Sequence, residues 1–207
     1  MKYIFVAGAP GSKWSSVVKN IYYSDSIDRS DYRDSWTYYH DAGGSLDLMH
    51  LGAYFDPGME SHLPENFAEL SRNDLEKIFN SPFGEPNGKT RIIKSHIFAG
   101  HIDFLRDTFP HTPIVLVHRG DDACLGWWVR CGHFDITYPS YHAYYRDLRT
   151  MGGIIKQQNR DILAAWWKYS GSYVTDNHQL AGALEIDAPP SVYSQDYVVS
   201  DVRVKVI

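Results

Sequence analysis

Positively charged and histidine side chains follow three short apolar runs of this chain. A loop with two glycines follows the run 2–7, Lys94 and His96 follow the run 91–93, and Arg119 follows the run 113–117. Lysine and arginine bind anions as a point charge and as a planar fork, respectively, and histidine exchanges a proton near neutral pH. The run ends therefore indicate anion binding, with proton transfer at His96.

The loop after the first run has the residue types of an anion-binding turn. It consists, in order, of Gly8, Ala9, Pro10, Gly11, Ser12, Lys13, Trp14 and Ser15. Glycines let a backbone approach an anion closely, and a helix that follows presents unpaired N–H groups to it. The loop lacks the strict pattern Gly-x4-Gly-Lys-Ser/Thr. The alternative is a tight strand-to-helix turn with a solvated lysine.

The other two run ends also have two interpretations. If the backbone stays extended, Lys94 and His96 face the same side, where lysine stabilises developing negative charge and histidine takes a proton. Otherwise they are a surface lysine and a half-buried histidine. Arg119 either binds a phosphate or forms an ion pair with Asp121 or Asp122.

Apolar periodicity predicts the elements that position these residues. Strands are expected at 2–8, 91–93, 114–118 and 191–193, with an edge strand at 202–207. Helices are expected from 12, 71, 100, 121, 141 and 154, the second opened by a capping box at Ser71. Residues 24–64 are expected to form an insertion that covers the site. This order favours an α/β fold with a mostly parallel central sheet flanked by helices, in one domain spanning 1–207.

Composition narrows the possible partners. The 207 residues carry a formal charge of −5, which argues against a nucleic-acid or membrane partner. Cys124 and Cys131 stand seven apart on one predicted helix, roughly 10 Å, which exceeds disulfide reach. We therefore expect a cytoplasmic protein. No His-x3-His or Cys-x2-Cys pair predicts a metal site.

Residues 90–128 resemble the core of the cytosolic-type sulfotransferases. In that family one strand ends in Lys-Thr-His, like Lys94-Ser95-His96, and the next ends in Arg-Asn-Pro-x-Asp before a helix, like the segment from Arg119. The family's phosphosulfate loop, Pro-Lys/Arg-Ser-Gly-Thr-Thr, is similar to residues 10–15. Its Tyr-Glu-Asp segment is similar to the stretch around Tyr193. The resemblance implies a three-layer, P-loop-type fold.

The resemblance also implies a cofactor and an activity. The sulfuryl donor would be 3′-phosphoadenosine 5′-phosphosulfate, the product adenosine 3′,5′-bisphosphate, and the acceptor a hydroxyl of a small molecule or carbohydrate. The loop 8–16 would hold the phosphosulfate, with Tyr193 also at the cofactor, and Arg119 would hold the 3′-phosphate. His96 would deprotonate the acceptor, and Lys94 and Lys13 would neutralise the bridging and leaving oxygens, without a metal.

Two other functions remain open. The chain has Trp127 where the family has a serine, which motivates a non-catalytic nucleotide-binding module of the same fold. A P-loop small-molecule kinase would need Mg²⁺ and a Lys-Ser/Thr pair at the end of the loop, and Trp14 after Lys13 breaks that pair.

Overall fold

The chain folds as an α/β structure around a six-stranded sheet. The computed structural model describes residues 2–32, 51–55, 63–64, 66–130, 147–188 and 201–207. The strands are β1 (Lys2–Gly8), β2 (Ala53–Tyr54), β3 (Thr90–Lys94), β4 (Ile114–His118), β5 (Ser172–Val174) and β6 (Arg203–Val206). The α-helices are α1 (Trp14–Tyr22), α2 (Arg72–Asn80), α3 (Ile102–Thr108), α4 (Asp121–Arg130), α5 (Leu148–Lys168) and α6 (Asn177–Ala183). Short 3₁₀ helices span Phe67–Glu69 and Ile97–His101.

The strand order brings the three predicted strand ends together. The order is β2-β3-β1-β4-β6-β5, in which the first four strands are parallel and β6 is antiparallel to both neighbours. Strand β1 therefore lies between β3 and β4. Val6 pairs with Lys94, and Gly8 pairs with Val117. The predicted mostly parallel sheet is confirmed, and its three central strands end side by side.

Helices pack on both faces of the sheet and bury both sides of β1. Phe5 faces one side, where its ring contacts Phe79, Phe98 and Phe109 from α2, the 3₁₀ helix and the end of α3. Val6 faces the opposite side, in the cluster that contains residues of α1 and α6. A strand covered on both faces reads as a continuous apolar run, as 2–7 does.

Local capping decides two helix starts. The Ser71 side chain accepts a hydrogen bond from the N–H of Asp74 at 3.3 Å, which confirms Ser71 as the N-cap, and the Asp74 carboxylate accepts from the Ser71 hydroxyl at 2.7 Å. Helix α5 starts at Leu148, earlier than the expected residue 154, because Asp147 caps it by accepting from the N–H of Thr150 at 2.8 Å.

The predicted edge strand at 202–207 is wrong in its position. Strand β6 pairs with β4 on one side and with β5 on the other. Lys205 in this strand is buried, and its Nζ donates to the carbonyls of Trp166 and Tyr169, at 2.6 and 2.7 Å. A lysine there satisfies the last carbonyls of α5. Strand β5, with three residues, is too short for a periodic signal.

Several predicted features lie outside the described residues. These are the strand at 191–193 with Tyr193, most of the helix from 141, Cys131, and most of the 24–64 insertion. Within the described ranges, no helix has the length and apolar character needed to cross a membrane.

Candidate functional site

The loop between β1 and α1 turns tightly at Pro10 and Gly11. The N–H of Ser12 donates to the carbonyl of Ala9 at 3.0 Å, and Gly11 has a φ of +79°. Proline followed by a left-handed glycine is typical of a type II turn. A Cβ on Gly11 would stand 2.0 Å from the carbonyl oxygen of Cys124. Gly11 is therefore required for the loop to pack against α4.

The start of α1 has features that suit an anion. Lys13 is the N-cap residue, with a φ of 61°, and makes no side-chain cap because lysine has no acceptor. The first turn of an uncapped helix favours negative charge. The hydroxyl of Ser12 is fully buried beside it and has no hydrogen-bond partner among the described residues. A serine hydroxyl can donate one hydrogen bond, so this group suits an anionic ligand at the start of α1.

His96 is fixed against this loop. Its Nδ1 contacts the carbonyl oxygen of Gly8, and its side chain is buried. Because a carbonyl oxygen only accepts, Nδ1 carries the proton and Nε2 is the basic nitrogen. The loop therefore selects the tautomer that a general base at Nε2 needs.

Two aromatic rings bring Lys94 and His96 together. The ring of Trp14 stacks on the imidazole with centroids 3.9 Å apart, and Tyr54 meets it edge-on at 5.8 Å. The Nζ of Lys94 lies 5.7 Å from the Trp14 ring and 5.3 Å from the Tyr54 ring. We call Lys94, His96, Trp14 and Tyr54 the imidazole cluster.

The reason for this proximity differs from the predicted one. The extended backbone stops at Lys94, and His96 has helical torsions before the 3₁₀ helix that begins at Ile97. Lys94 is fully buried, and His96 is 4% exposed. The alternative of a surface lysine is thus wrong.

Lys13 and Arg119 belong to a second group. The Trp127 ring has the Nζ of Lys13 at 4.8 Å from its centroid, the Cζ of Arg130 at 5.8 Å and the Cζ of Arg119 at 5.9 Å. We call these three cations and Trp127 the cation cluster. Arg119 also donates from Nη1 to the carbonyl of Gly11 at 3.1 Å. The loop thus contacts the imidazole cluster through Gly8 and the cation cluster through Gly11.

Arg119 forms an ion pair that the sequence did not indicate. Its Nε donates to both carboxylate oxygens of Asp201, each at 3.0 Å. The predicted alternative paired it with Asp121 or Asp122. Instead, β6 runs antiparallel to β4 with Arg203 opposite His118, which brings Asp201 next to Arg119.

Asn159 of α5 holds the backbone at Arg119. Its Nδ2 donates to the carbonyl of Arg119 at 2.8 Å and to the carboxylate of Asp121 at 2.7 Å. The thiol of Cys124 donates to the same carbonyl at 3.3 Å, and burial, the largest influence, raises the pKa of that thiol to about 12. No motif singled out Asn159, because its role depends on how α5 packs against α4.

A buried carboxylate lies near the imidazole cluster. Asp31 is 4% exposed and accepts a hydrogen bond from the hydroxyl of Tyr22 at 3.2 Å. Burial raises the pKa of Asp31 to about 6, and the Tyr22 hydrogen bond and the positive charge of Lys94 act in the opposite direction. Asp31 thus supplies negative charge close to a fully buried ammonium.

The chain matches no family model, and comparisons with curated proteins and with solved structures give no match. Among the described residues, no group of three or more His, Cys, Asp or Glu side chains could hold a metal ion.

Proposed function

We propose that this chain is a sulfotransferase of three-layer, P-loop-type fold. It moves a sulfuryl group from 3′-phosphoadenosine 5′-phosphosulfate to a hydroxyl of a small molecule or carbohydrate. The strand order with β1 between β3 and β4, and the loop between β1 and α1, support this fold. Ligands in such sheets bind beyond the carboxyl ends of the strands.

The observation that carries the proposal is the contact between Nδ1 of His96 and the carbonyl of Gly8. It fixes the base to the loop proposed to hold the phosphosulfate, so that the sulfuryl donor and the imidazole of His96 contact the same loop. Nε2 takes the proton of the acceptor hydroxyl as the oxygen attacks sulfur. The bond between sulfur and the bridging oxygen breaks, and its electron pair stays on the phosphate. This step needs alignment and charge stabilisation more than covalent help.

Lys94 and the loop supply that stabilisation. The Lys94 ammonium is buried in the same aromatic surroundings as His96, where low polarity strengthens its attraction for an anion. The hydroxyl of Ser12 is a donor for a phosphosulfate oxygen. Lys13 belongs to the cation cluster and suits a more exposed oxygen of the donor.

The test is transfer of labelled sulfuryl from the donor to a panel of phenols and simple sugars. His96→Asn is expected to reduce kcat by about 10²- to 10⁴-fold, because it removes the base. His101→Asn is the matched control, since His101 follows in the adjacent 3₁₀ helix and contacts Phe67. Its activity should stay within about twofold of wild type. Undiminished transfer by His96→Asn would show that another group is the base.

One observation favours a second candidate, a nucleotide-binding module without turnover. The Trp14 ring covers one face of a nearly buried imidazole, which narrows the approach of an acceptor. Binding of adenosine 3′,5′-bisphosphate without transfer to any acceptor of the panel, by wild type and by Trp14→Leu, would favour this candidate. Transfer that appears only in Trp14→Leu would favour an enzyme in which the indole restricts access.

A further inference from the structure

Arg119 already holds a carboxylate where the proposed function places a phosphate. Its Nε is shared between the two oxygens of Asp201, and its Nη1 donates to Gly11. A guanidinium has five N–H groups in a fixed plane, so two of the five are engaged by these contacts. The Nε edge of the guanidinium is thus occupied by an anion of the chain itself.

The ion pair has a buried and an exposed partner. The Arg119 side chain is 10% exposed, whereas that of Asp201 is 52% exposed. Asp201 therefore lies on the solvent side of the guanidinium, where an incoming anion would approach. Asp201 has a φ of 59°, a left-handed conformation that aspartate tolerates better than most residues.

Positive charge is otherwise concentrated at this place. Lys13, Arg119 and Arg130 surround the Trp127 ring in a chain whose formal charge is −5. The cation cluster attracts an anionic ligand through local focusing of charge. Asp201 opposes this attraction at Arg119, because a carboxylate repels a phosphate brought to the same guanidinium.

We propose that Asp201 is a specificity-determining residue that weakens the preference of the site for a nucleotide with a second phosphate. This inference rests on the proposed function, in which Arg119 receives the 3′-phosphate. A ligand that places a phosphate at Arg119 must displace Asp201 or bind beside it. A ligand with a 5′-phosphate alone does not meet Asp201. The ratio of the two affinities therefore depends on Asp201.

The variant Asp201→Asn removes the charge and keeps the size of the side chain. Arg119 stays close to the loop through its hydrogen bond to Gly11. Repulsion between two unit charges about 4 Å apart corresponds to a factor of about five in affinity even at the dielectric constant of water. We expect Asp201→Asn to bind adenosine 3′,5′-bisphosphate about fivefold more tightly, and adenosine 5′-monophosphate within about twofold of wild type.

Calorimetric titration of both nucleotides into wild type, Asp201→Asn and the control Asp122→Asn tests the proposal. Asp122 is exposed in the first turn of α4, so its substitution makes the same charge change away from the Nε edge. If Asp201→Asn raised the affinity for both nucleotides equally, or if it bound the bisphosphate more weakly than the wild type does, the inference would be overturned. A wild-type protein that binds neither nucleotide would instead overturn the proposed function. In 1 M salt the gain should shrink, since screening acts over about 3 Å.

Discussion

Replacement of Asp31 by asparagine should stabilise the protein at neutral pH. Asp31 is buried, and its pKa is raised from 3.8 to about 6, mainly by desolvation. The ionised carboxylate is therefore less favourable in the folded chain than in the unfolded chain. One pKa unit corresponds to 1.36 kcal/mol, so this difference amounts to about 3 kcal/mol. Asparagine resembles the neutral acid and still accepts from Tyr22.

The pH dependence has a definite sign. Below about pH 4 the carboxyl is protonated in both states, and the raised pKa costs nothing. As the pH rises from about 4 to about 6, the unfolded chain loses this proton first, so the stability of the wild type falls. The advantage of Asp31→Asn should grow from near zero at pH 4 to about 3 kcal/mol at pH 7.5.

Urea unfolding at a series of pH values, followed by tryptophan fluorescence, measures this difference. Asp28→Asn is a matched control with the opposite sign. Burial acts to raise the pKa of Asp28, but hydrogen bonds from Ser30, Arg91 and Asn87 outweigh it, and the pKa is lowered. The free energy of unfolding of Asp28→Asn should be lower than that of the wild type at pH 7.5, and this difference should become smaller as the pH falls. A stability difference for Asp31→Asn that does not change with pH would show that ionisation of the buried Asp31 carboxyl does not destabilise the fold.

Three further predictions concern the surroundings of the site. Gly11→Ala should lower the free energy of unfolding, measured with urea, by about 3 kcal/mol. Gly11 has a φ of +79°, and a Cβ added there would stand 2.0 Å from the carbonyl oxygen of Cys124. Gly126→Ala, with open space at its Cβ within α4, should instead stabilise by about 0.5–1 kcal/mol; an equal cost for both would contradict the steric argument. Burial raises the pKa of the Cys124 thiol to about 12, so at pH 8 the thiol is not ionised and should react slowly with iodoacetamide in the folded protein. Peptide mapping after labelling measures this reaction, and rapid labelling of Cys124 would show that the thiol is accessible. Lys205→Met should lower the free energy of unfolding by about 3 kcal/mol in the same assay, because two carbonyls at the end of α5 lose a charged donor. Lys2→Met is the control, since Lys2 is exposed. A loss for Lys205→Met no larger than that for Lys2→Met would contradict this role of Lys205.

The central strands and their ends were predictable because they depend on local sequence. After the exposed Lys2, strand β1 is buried on both faces and therefore has no charged residue from Tyr3 on, and it ends at Gly8, where the tight turn begins. Strand β4 matches its expected bounds for the same reason. The side-by-side position of the strand ends follows from parallel pairing, which the alternation of strands and helices indicates.

The partners of the charged side chains were not predictable, because they come from distant parts of the chain. Arg119 and Asp201 are separated by 82 positions and meet only because β6 returns antiparallel beside β4. Asn159 reaches Arg119 across 40 positions through the packing of α5. The stacking of Trp14 on His96 depends on the rotation of α1 about its axis, which no motif specifies.

We propose that the loop between β1 and α1, together with the imidazole cluster and the cation cluster, binds the bisphosphate product of a sulfuryl donor. Calorimetric titration with adenosine 3′,5′-bisphosphate, and separately with ATP and Mg²⁺, tests it most directly. We expect one binding site for the bisphosphate without added metal, and we expect Arg119→Met, which removes a charged donor, to weaken binding at least about tenfold. Tight binding of ATP with Mg²⁺, and none of the bisphosphate, would contradict it.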